Sequence, residues 1–328
     1  MSIRGLNIRY LSPRGDVKAV RNLSLDIHRG ETLFLVGESG AGKSTLSLAI
    51  LRLLPEKVGK ITSGQLIYSS EEGDNLDITA LRGRRLRRFR WKEASMVFQG
   101  AMNSLNPIMR IQGQLNDVVK AHRIRISKKK TREKMTSLLD IVKLDADRVL
   151  KSYSHQLSGG MRQRVMIAMS LLLDPKMVIL DEPTTALDVL TQKNIMDVLK
   201  EISRRLSVTM IFITHDLSLA ADLADRVAIM YAGTMVEIGD VEQIFYDPRH
   251  PYTFALLKSV PRLSSETGRI DSIPGSPPDM VNPPPGCGFH PRCMYRGERC
   301  DREEPFLEES EDNHFVACWR WREIFNGG

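Results

Sequence analysis

A glycine-rich segment, Gly-Glu-Ser-Gly-Ala-Gly-Lys-Ser-Thr at residues 37–45, has the composition and spacing of a phosphate-binding loop. Its glycines allow backbone N–H groups to point at phosphate oxygens, and the helix that should follow adds partial positive charge at its N-terminus. Lys43 would reach the outer phosphates of a nucleotide, and the Ser44 hydroxyl would be a ligand of Mg²⁺. The loop residues that we expect to contact the nucleotide are Gly37, Ser39, Gly40, Ala41, Gly42, Lys43, Ser44 and Thr45.

Two adjacent carboxylates, Asp181 and Glu182, follow the apolar run Val-Ile-Leu at residues 178–180. A carboxylate at the end of a buried strand projects toward the neighbouring loop, so we expect Asp181 to hold Mg²⁺ directly or through water. Glu182 comes next and is the natural group to polarise an attacking water. The pair therefore predicts hydrolysis of the nucleotide in addition to binding.

The elements that position these groups follow from the hydrophobic pattern. Four apolar runs, at residues 32–36, 177–180, 209–214 and 227–231, predict buried parallel strands. Helical spacing over residues 43–54, 115–122 and 131–142 predicts helices, the last two in an insertion between Gln99 and Ser158. The order of these elements predicts an α/β fold wound around a central sheet.

Prolines change the character of the chain after about residue 240. Pro248, Pro251 and Pro261 precede two Pro-rich stretches, at residues 273–278 and 283–286, which should form neither helix nor strand. All four cysteines lie beyond the second stretch. We therefore expect a C-terminal extension over residues 246–328, after a nucleotide-binding domain over residues 1–245.

Composition limits the remaining possibilities. The 328 residues are 42% hydrophobic, no apolar run approaches the roughly 18 residues of a membrane span, and the N-terminus has no apolar signal core. We therefore expect a cytosolic protein that reaches a membrane only through a partner.

The net charge is +7, and the basic residues are densest at residues 82–92, where a nucleic-acid-binding surface is one alternative. The pattern favours a solvated helix face before a buried strand.

Residues 1 to about 245 resemble the ATPase subunit of an ATP-binding-cassette (ABC) transporter. The phosphate loop, the Leu-Ser-Gly-Gly-Met segment at 157–161 and the Asp-Glu-Pro segment at 181–183 carry the resemblance. It implies an ABC ATPase fold, in which a RecA-like phosphate-loop core carries antiparallel β and helical subdomains, the helical one at about residues 100–163. The nucleotide would then be ATP, bound with Mg²⁺ and hydrolysed to drive transport.

The resemblance also implies roles for residues outside the loop. Tyr10 would stack on adenine, Gln99 would contact Mg²⁺ or water, and His215 would contact the γ-phosphate and steady the attacking water. The implied catalytic residues are Glu182, His215 and Gln99, and the implied Mg²⁺ ligands are Ser44, Gln99 and Asp181.

Ser158 and Gly160 match the signature that closes over the γ-phosphate of ATP held by an opposite subunit, and Asp188 matches the loop that crosses the dimer interface. The signature ends in Met161, where the commonest form has glutamine. This change leaves Ser158 and Gly160 in place, so the resemblance still implies phosphate binding by this segment.

Longer segments narrow the resemblance to the ATPases of oligopeptide and dipeptide importers. They lie at residues 98–107 and 158–168, with His-Pro-Tyr-Thr at 250–253 and Ile-Pro-Gly at 273–275 similar to that family's C-terminal extension. This family implies a heterodimer with a second, homologous ATPase subunit, two membrane permeases, an indirectly acting substrate-binding protein and no nucleic acid. The chain would lie at the cytoplasmic face of the cell membrane, and the expected cargo is peptide, with oligosaccharide or nickel as alternatives.

The four cysteines, Cys287, Cys293, Cys300 and Cys318, indicate a metal site, because a cytosolic protein keeps its thiols reduced. Their spacing leaves a [4Fe–4S] cluster, zinc and unligated thiols open, with His290 and His314 near enough in sequence to substitute as ligands. The resemblance to dipeptide-type ATPases favours the [4Fe–4S] cluster.

A different function, that of a nucleic-acid ATPase of the same superfamily, is disfavoured. Such proteins carry long coiled-coil insertions or two cassettes in one chain. This chain has one cassette and a short helical insertion. The sequence therefore favours an ATPase coupled to transmembrane transport.

Overall fold

The structure is a computed structural model that describes residues 1–70, 73–124, 126–259 and 273–325. The chain divides into two compact units. The first unit comprises residues 1–79 and 213–328, and the second comprises residues 80–212. Pro261 lies outside the described residues.

Strands are found in both units. In the described chain they are β1 (Ser2–Ser12), β2 (Gly15–Asp26), β3 (Thr32–Val36), β4 (Gly59–Ser69), β5 (Asn75–Asp77), β6 (Ala94–Val97), β7 (Met177–Asp181), β8 (Thr209–Thr214), β9 (Arg226–Tyr231), β10 (Thr234–Asp240), β11 (Glu308–Glu311) and β12 (His314–Val316). The α-helices of the same residues are α1 (Lys43–Ile50), α2 (Gly83–Lys92), α3 (Ile111–Ala121), α4 (Lys128–Ile141), α5 (Ala146–Lys151), α6 (Gly159–Ser170), α7 (Val189–Leu206), α8 (Val241–Tyr246), α9 (Pro251–Ser259) and α10 (Trp321–Phe325). Within the described part of the chain, no helix is both long and apolar enough to span a bilayer.

The first unit contains an antiparallel sheet in the order β2-β1-β4-β5. The central strand β1 points Ile3, Leu6 and Ile8 into the core, where each side chain is fully buried. The intervening residues are more exposed, and a register shift between Ile3 and Leu6 brings both side chains to the buried face. The sequence analysis did not predict these strands, because alternating strands contain no continuous apolar run.

The first unit also contains a mixed set of strands. β3 is buried at every residue and pairs in parallel with β9, with Phe34 opposite Val227. β9 pairs antiparallel with β10, and β12 extends the set along the other edge of β10. The expected strands at residues 32–36, 209–214 and 227–231 are confirmed, and β8 crosses from the second unit to the first after Phe212.

The second unit pairs β6 and β7 in parallel, with Ala94 opposite Met177. Its helices α3 to α5 lie within the expected insertion, and α6 begins directly after it. These four helices bury Leu115, Leu139, Val149 and Val165. The basic run at residues 82–92 forms α2, directly before the fully buried β6, as the charge pattern indicated.

One expected helix ends earlier in the structure. The helix expected over residues 43–54 stops at Ile50, because Arg52 adopts a left-handed φ of 55° and Pro55 follows. The Pro-rich stretches 273–278 and 283–286 form neither helix nor strand, as expected, and α8, α9, α10, β11 and β12 lie around them.

A buried carboxylate joins the C-terminal strands and helices of the first unit. Glu237 on β10 is fully buried, as is His314 on β12. One Glu237 oxygen accepts from the Arg249 backbone N–H at 2.5 Å and lies 2.8 Å from His314 Nε2. The other accepts from the His250 backbone N–H at 3.0 Å. The Glu237 side chain therefore accepts hydrogen bonds from two buried backbone N–H groups. These bonds hold Arg249 and His250, which directly precede α9, against β10.

Glu237→Ala should lower the free energy of unfolding by about 3 kcal/mol, because it leaves these buried partners without an acceptor. Urea-induced unfolding measures this loss. The exposed Glu242→Ala is the matched control and should change the value by less than about 0.5 kcal/mol. A loss below about 1 kcal/mol for Glu237→Ala would contradict this role.

Candidate nucleotide site

The phosphate loop connects β3 to α1 in the first unit, and two of its glycines are required by close approach of neighbouring backbone. Gly37 has φ 158°, and a Cβ there would lie 2.2 Å from the Met230 carbonyl oxygen. Gly42 has φ 102°, and its Cβ would lie 2.3 Å from the Ala19 carbonyl oxygen. Any side chain at either position would displace a strand backbone, so both sites require glycine.

Lys43 begins α1 and is 6% exposed. Its ammonium donates to the carbonyl oxygens of Gly37 at 2.6 Å and Glu38 at 3.0 Å. The cation is thus held inside the loop, where it can meet phosphate oxygens. Ser44 follows with an exposed side chain, so its hydroxyl is accessible to a metal ion. Of the remaining predicted loop residues, Ser39, Gly40 and Ala41 lie in the turn between β3 and α1, and Thr45 lies in the first turn of α1.

Tyr10 and His215 also belong to the first unit. Tyr10 lies on β1, and its ring covers Gly59 of β4, where a Cβ would lie 2.9 Å from Tyr10 Cε1. Its side chain is half-buried, which leaves ring surface accessible. His215 is exposed and directly follows β8. The adenine-stacking and γ-phosphate roles of these residues stay predictions.

The second unit brings together the expected water-polarising carboxylate and the glutamine. Asp181 ends β7 and is 5% exposed. Glu182 follows with a left-handed φ of 47°. One of its carboxylate oxygens accepts from Gln99 Nε2 at 2.7 Å and from Thr185 Oγ1 at 2.9 Å. Gln99 and Thr185 therefore orient this carboxylate. Sequence reasoning missed Thr185, although a hydroxyl three residues after the predicted water-polarising carboxylate is a signal that could have identified it.

The signature and the expected interface loop meet in the second unit. Ser158 caps α6 by accepting from the Met161 N–H at 3.3 Å. Asp188 caps α7, accepting from the N–H of Thr191 at 2.9 Å and from its hydroxyl at 2.7 Å. These hydrogen bonds hold the pKa of the Asp188 carboxyl below its usual value. Gly160 lies against Thr191, because a Cβ at Gly160 would be 2.5 Å from Thr191 Cγ2. Thr191, which the sequence did not indicate, thus connects the two motifs.

All four cysteines lie in the first unit as free thiols, and all line one small cavity. Burial and the neighbouring sulfurs raise the pKa of Cys287 to about 11 and that of Cys318 to about 12. Four thiols around one cavity are donors that fit a cationic metal or cluster, whose charge would offset the repulsion between thiolates. His290 lines the same cavity, whereas His314 is not among the residues that line it.

The cysteine side chains do not yet form a ligand set. Among the described residues, no group of three or more His, Cys, Asp or Glu side chains is arranged to hold a metal ion. The donor chemistry of the cavity fits a thiolate-bound group, but the positions of the thiols are not those of a formed coordination shell.

Comparisons with known proteins show the family to which the chain belongs. Residues 20–185 match the family described as ABC transporter, and residues 236–300 match the family described as oligopeptide/dipeptide transporter, C-terminal region. The dipeptide transport ATP-binding protein DppD of Bacillus subtilis is 45% identical over 97% of this chain and 94% of its own. The oligopeptide transport ATP-binding protein OppD of Salmonella typhimurium is 43% identical over 98% of this chain and 93% of its own.

Solved structures share the fold. The dimeric structure of MJ0796, a bacterial ABC transporter cassette, superposes with a TM-score of 0.63 at 27% identity, covering 73% of this chain and 98% of its own. A phosphate loop between strand and helix, followed in sequence by a signature helix and an Asp-Glu strand end, defines an ATP-binding cassette. The chain belongs to the ABC transporter family, in the group of dipeptide and oligopeptide transport ATP-binding proteins.

Gly160→Ala should lower ATP turnover by about tenfold or more, because its methyl overlaps Thr191, which Asp188 holds in place. Thr191→Ser removes the obstructing methyl group and keeps the hydroxyl, so the double variant should recover part of the rate. Steady-state phosphate release in the assembled transporter measures both.

The matched control is Gly113→Ala in α3, where the added methyl meets only the flexible end of Met109 at 3.3 Å. It should keep turnover near the wild-type rate. Equal rates of ATP turnover for Gly160→Ala and Gly113→Ala would show that the contact between Gly160 and Thr191 does not affect turnover.

Proposed function

We propose that this chain is the ATP-hydrolysing subunit that drives peptide import through a membrane ABC transporter. The observation that carries the proposal is its 45% identity, over nearly the whole chain, to a protein named for dipeptide transport. The similarity includes both the phosphate loop and the C-terminal region, so it extends beyond the motifs that all ABC ATPases share.

The phosphate loop binds ATP through its backbone N–H groups, with Lys43 moving from the Gly37 and Glu38 carbonyls to the outer phosphates. Ser44, Asp181 and Gln99 would hold Mg²⁺, which supplies charge neutralisation at the phosphates. Tyr10 would pack against the adenine ring.

Hydrolysis requires a water positioned in line with the γ-phosphate. Glu182 polarises that water, and Gln99 and Thr185 fix the direction of its carboxylate. His215, exposed after β8, contacts the γ-phosphate and steadies the water. The chain thus supplies a complete set of groups for ATP hydrolysis.

The signature completes a nucleotide site on a second, homologous ATPase subunit. Ser158 at the N-terminus of α6 and Gly160 would contact the γ-phosphate held by that subunit, and Asp188 would lie at the interface. The assembly is then a heterodimer of ATPases at the cytoplasmic face of the membrane, beneath two permeases that receive peptide from a substrate-binding protein. ATP-dependent closure of the two ATPases would move the permeases.

The C-terminal residues 246–328 form a Cys-rich extension that holds a [4Fe–4S] cluster through Cys287, Cys293, Cys300 and Cys318. The support is the set of four thiols that line one cavity. The cluster would stabilise a segment whose Pro-rich sequence forms little secondary structure of its own. Zinc is the alternative occupant.

Peptide import is tested with the complete transporter and its binding protein in liposomes that contain ATP. Labelled dipeptide should accumulate in the wild type. Glu182→Gln should abolish uptake and lower ATP turnover at least about 100-fold, with ATP binding within about twofold of wild type, because the amide keeps the shape but cannot polarise water.

Glu201→Gln on α7 is the control for the same chemical change and should retain uptake. Uptake of nickel or an oligosaccharide in place of peptide would contradict the proposed cargo. Wild-type turnover in Glu182→Gln would remove this residue from the role of base.

Protein purified without oxygen should be brown, with broad visible absorbance and about four irons and four sulfides per chain. Cys300→Ser should lose this absorbance, since Cys300 is one of the four proposed ligands. A colourless preparation that contains one zinc per chain would overturn the iron–sulfur assignment.

A further inference from the structure

The C-terminal segment places one arginine against the phosphate loop. Arg292 lies between Cys287 and Cys293 in sequence, and its side chain is 5% exposed. Its guanidinium donates from Nη1 to Glu38 Oε2 at 2.6 Å and from Nη2 to Glu38 Oε1 at 3.0 Å. Two parallel hydrogen bonds of this kind fix both the distance and the orientation of the carboxylate.

The same guanidinium also donates hydrogen bonds to residues other than Glu38. Arg292 Nε donates to the Pro274 carbonyl oxygen at 2.7 Å, and Nη1 donates to the Tyr231 hydroxyl at 3.2 Å. Arg292 Cγ packs 3.5 Å from the position of a Cβ on Gly275, which has φ +73°. The arginine is therefore part of a preformed site and does not simply lie on the surface.

The backbone of Glu38 connects the Arg292 contact to the phosphate loop. Its carbonyl oxygen accepts from Lys43 Nζ at 3.0 Å and from the Ala41 N–H at 3.2 Å. Its N–H donates to the Tyr252 hydroxyl at 2.9 Å. Both ends of the Glu38 peptide are thus fixed, and the same residue links Arg292 to the lysine that binds phosphate.

Aromatic packing joins these groups to the cysteine cavity. The Phe289 ring lies 5.2 Å from the Tyr231 ring and 5.3 Å from the Tyr252 ring, measured between centroids. Phe289 also lines the cavity of the four thiols. The segment that carries the cysteines and the phosphate loop therefore share a packed cluster.

The contact between Arg292 and Glu38 can affect nucleotide binding through its charge. A carboxylate within a phosphate loop repels the polyanionic triphosphate, and this repulsion is strong where water is excluded. A bidentate arginine offsets that charge and fixes the direction of the carboxylate.

We infer that Arg292 is a positioning residue for ATP binding, through which the C-terminal segment neutralises Glu38 and sets the nucleotide affinity of the phosphate loop. By linkage, bound nucleotide stabilises the C-terminal segment to the same extent. This inference depends on ATP binding by the loop. It depends neither on peptide as cargo nor on the chemical identity of the group among the cysteines.

The test measures the Kd of the Mg²⁺ complex of a non-hydrolysable ATP analogue for the full chain by calorimetry. Arg292→Gln should weaken binding about tenfold, because it leaves the Glu38 charge unopposed. Glu38→Gln in the same chain removes that charge, so the double variant R292Q/E38Q should bind within about threefold of wild type. The exposed Arg296→Gln, in the same segment, makes the same change of net charge and should not alter the Kd.

Recovery in the double variant separates electrostatic positioning from a general loss of folding, which Glu38→Gln would not repair. An unchanged Kd for R292Q overturns the inference, as does a double variant that binds as weakly as R292Q. If R292Q does not fold, Arg292→Lys is the second variant. It keeps the positive charge but cannot make both hydrogen bonds to Glu38, so it should weaken binding about threefold. A wild-type Kd for Arg292→Lys would also overturn the inference. Because binding is measured without transport, failure here is distinguishable from failure of peptide uptake.

Discussion

The shape of the phosphate loop depends on the contact of two glycines with neighbouring backbone. Gly37 and Gly42 leave no room for a side chain against the carbonyl oxygens of Met230 and Ala19. This close approach places the loop between β3 and α1 and brings the ammonium of Lys43 under the Gly37 carbonyl. The cation, the helix N-terminus and the following serine hydroxyl all take their positions from that constraint.

The same constraint explains why the C-terminal segment matters to the site. A loop built from glycines has little intrinsic stiffness, so its conformation must be held by contacts from outside. Tyr252 and Arg292 supply such contacts to Glu38 from sequence positions more than 200 residues away. In the second unit, Gln99, Thr185 and the capping contacts of Thr191 do the same for the carboxylate and the signature. Each functional motif thus depends on partners outside itself.

Local patterns predicted the strands at residues 32–36 and 209–214, the phosphate loop and the basic helix before β6, because continuous apolar runs, glycine spacing and charge runs are visible in short windows. The antiparallel pairing of β1 with β2 and β4 was not predicted, since alternating strands give a weaker signal. The contact between Glu38 and Arg292 lay beyond any local pattern, because it joins residues 254 positions apart. The available signal was Glu38 itself, because a glutamate inside a phosphate loop indicates that a cationic partner must neutralise its charge.

The phosphate loop and the C-terminal segment should respond to nucleotide as one element of the first unit. Amide hydrogen exchange with and without a non-hydrolysable Mg²⁺–ATP analogue measures this shared response. We expect the analogue to slow exchange at residues 37–45 and, at the same analogue concentrations, at residues 287–293. Slower exchange in the loop, with unchanged exchange in the C-terminal segment at saturation, would contradict the claim.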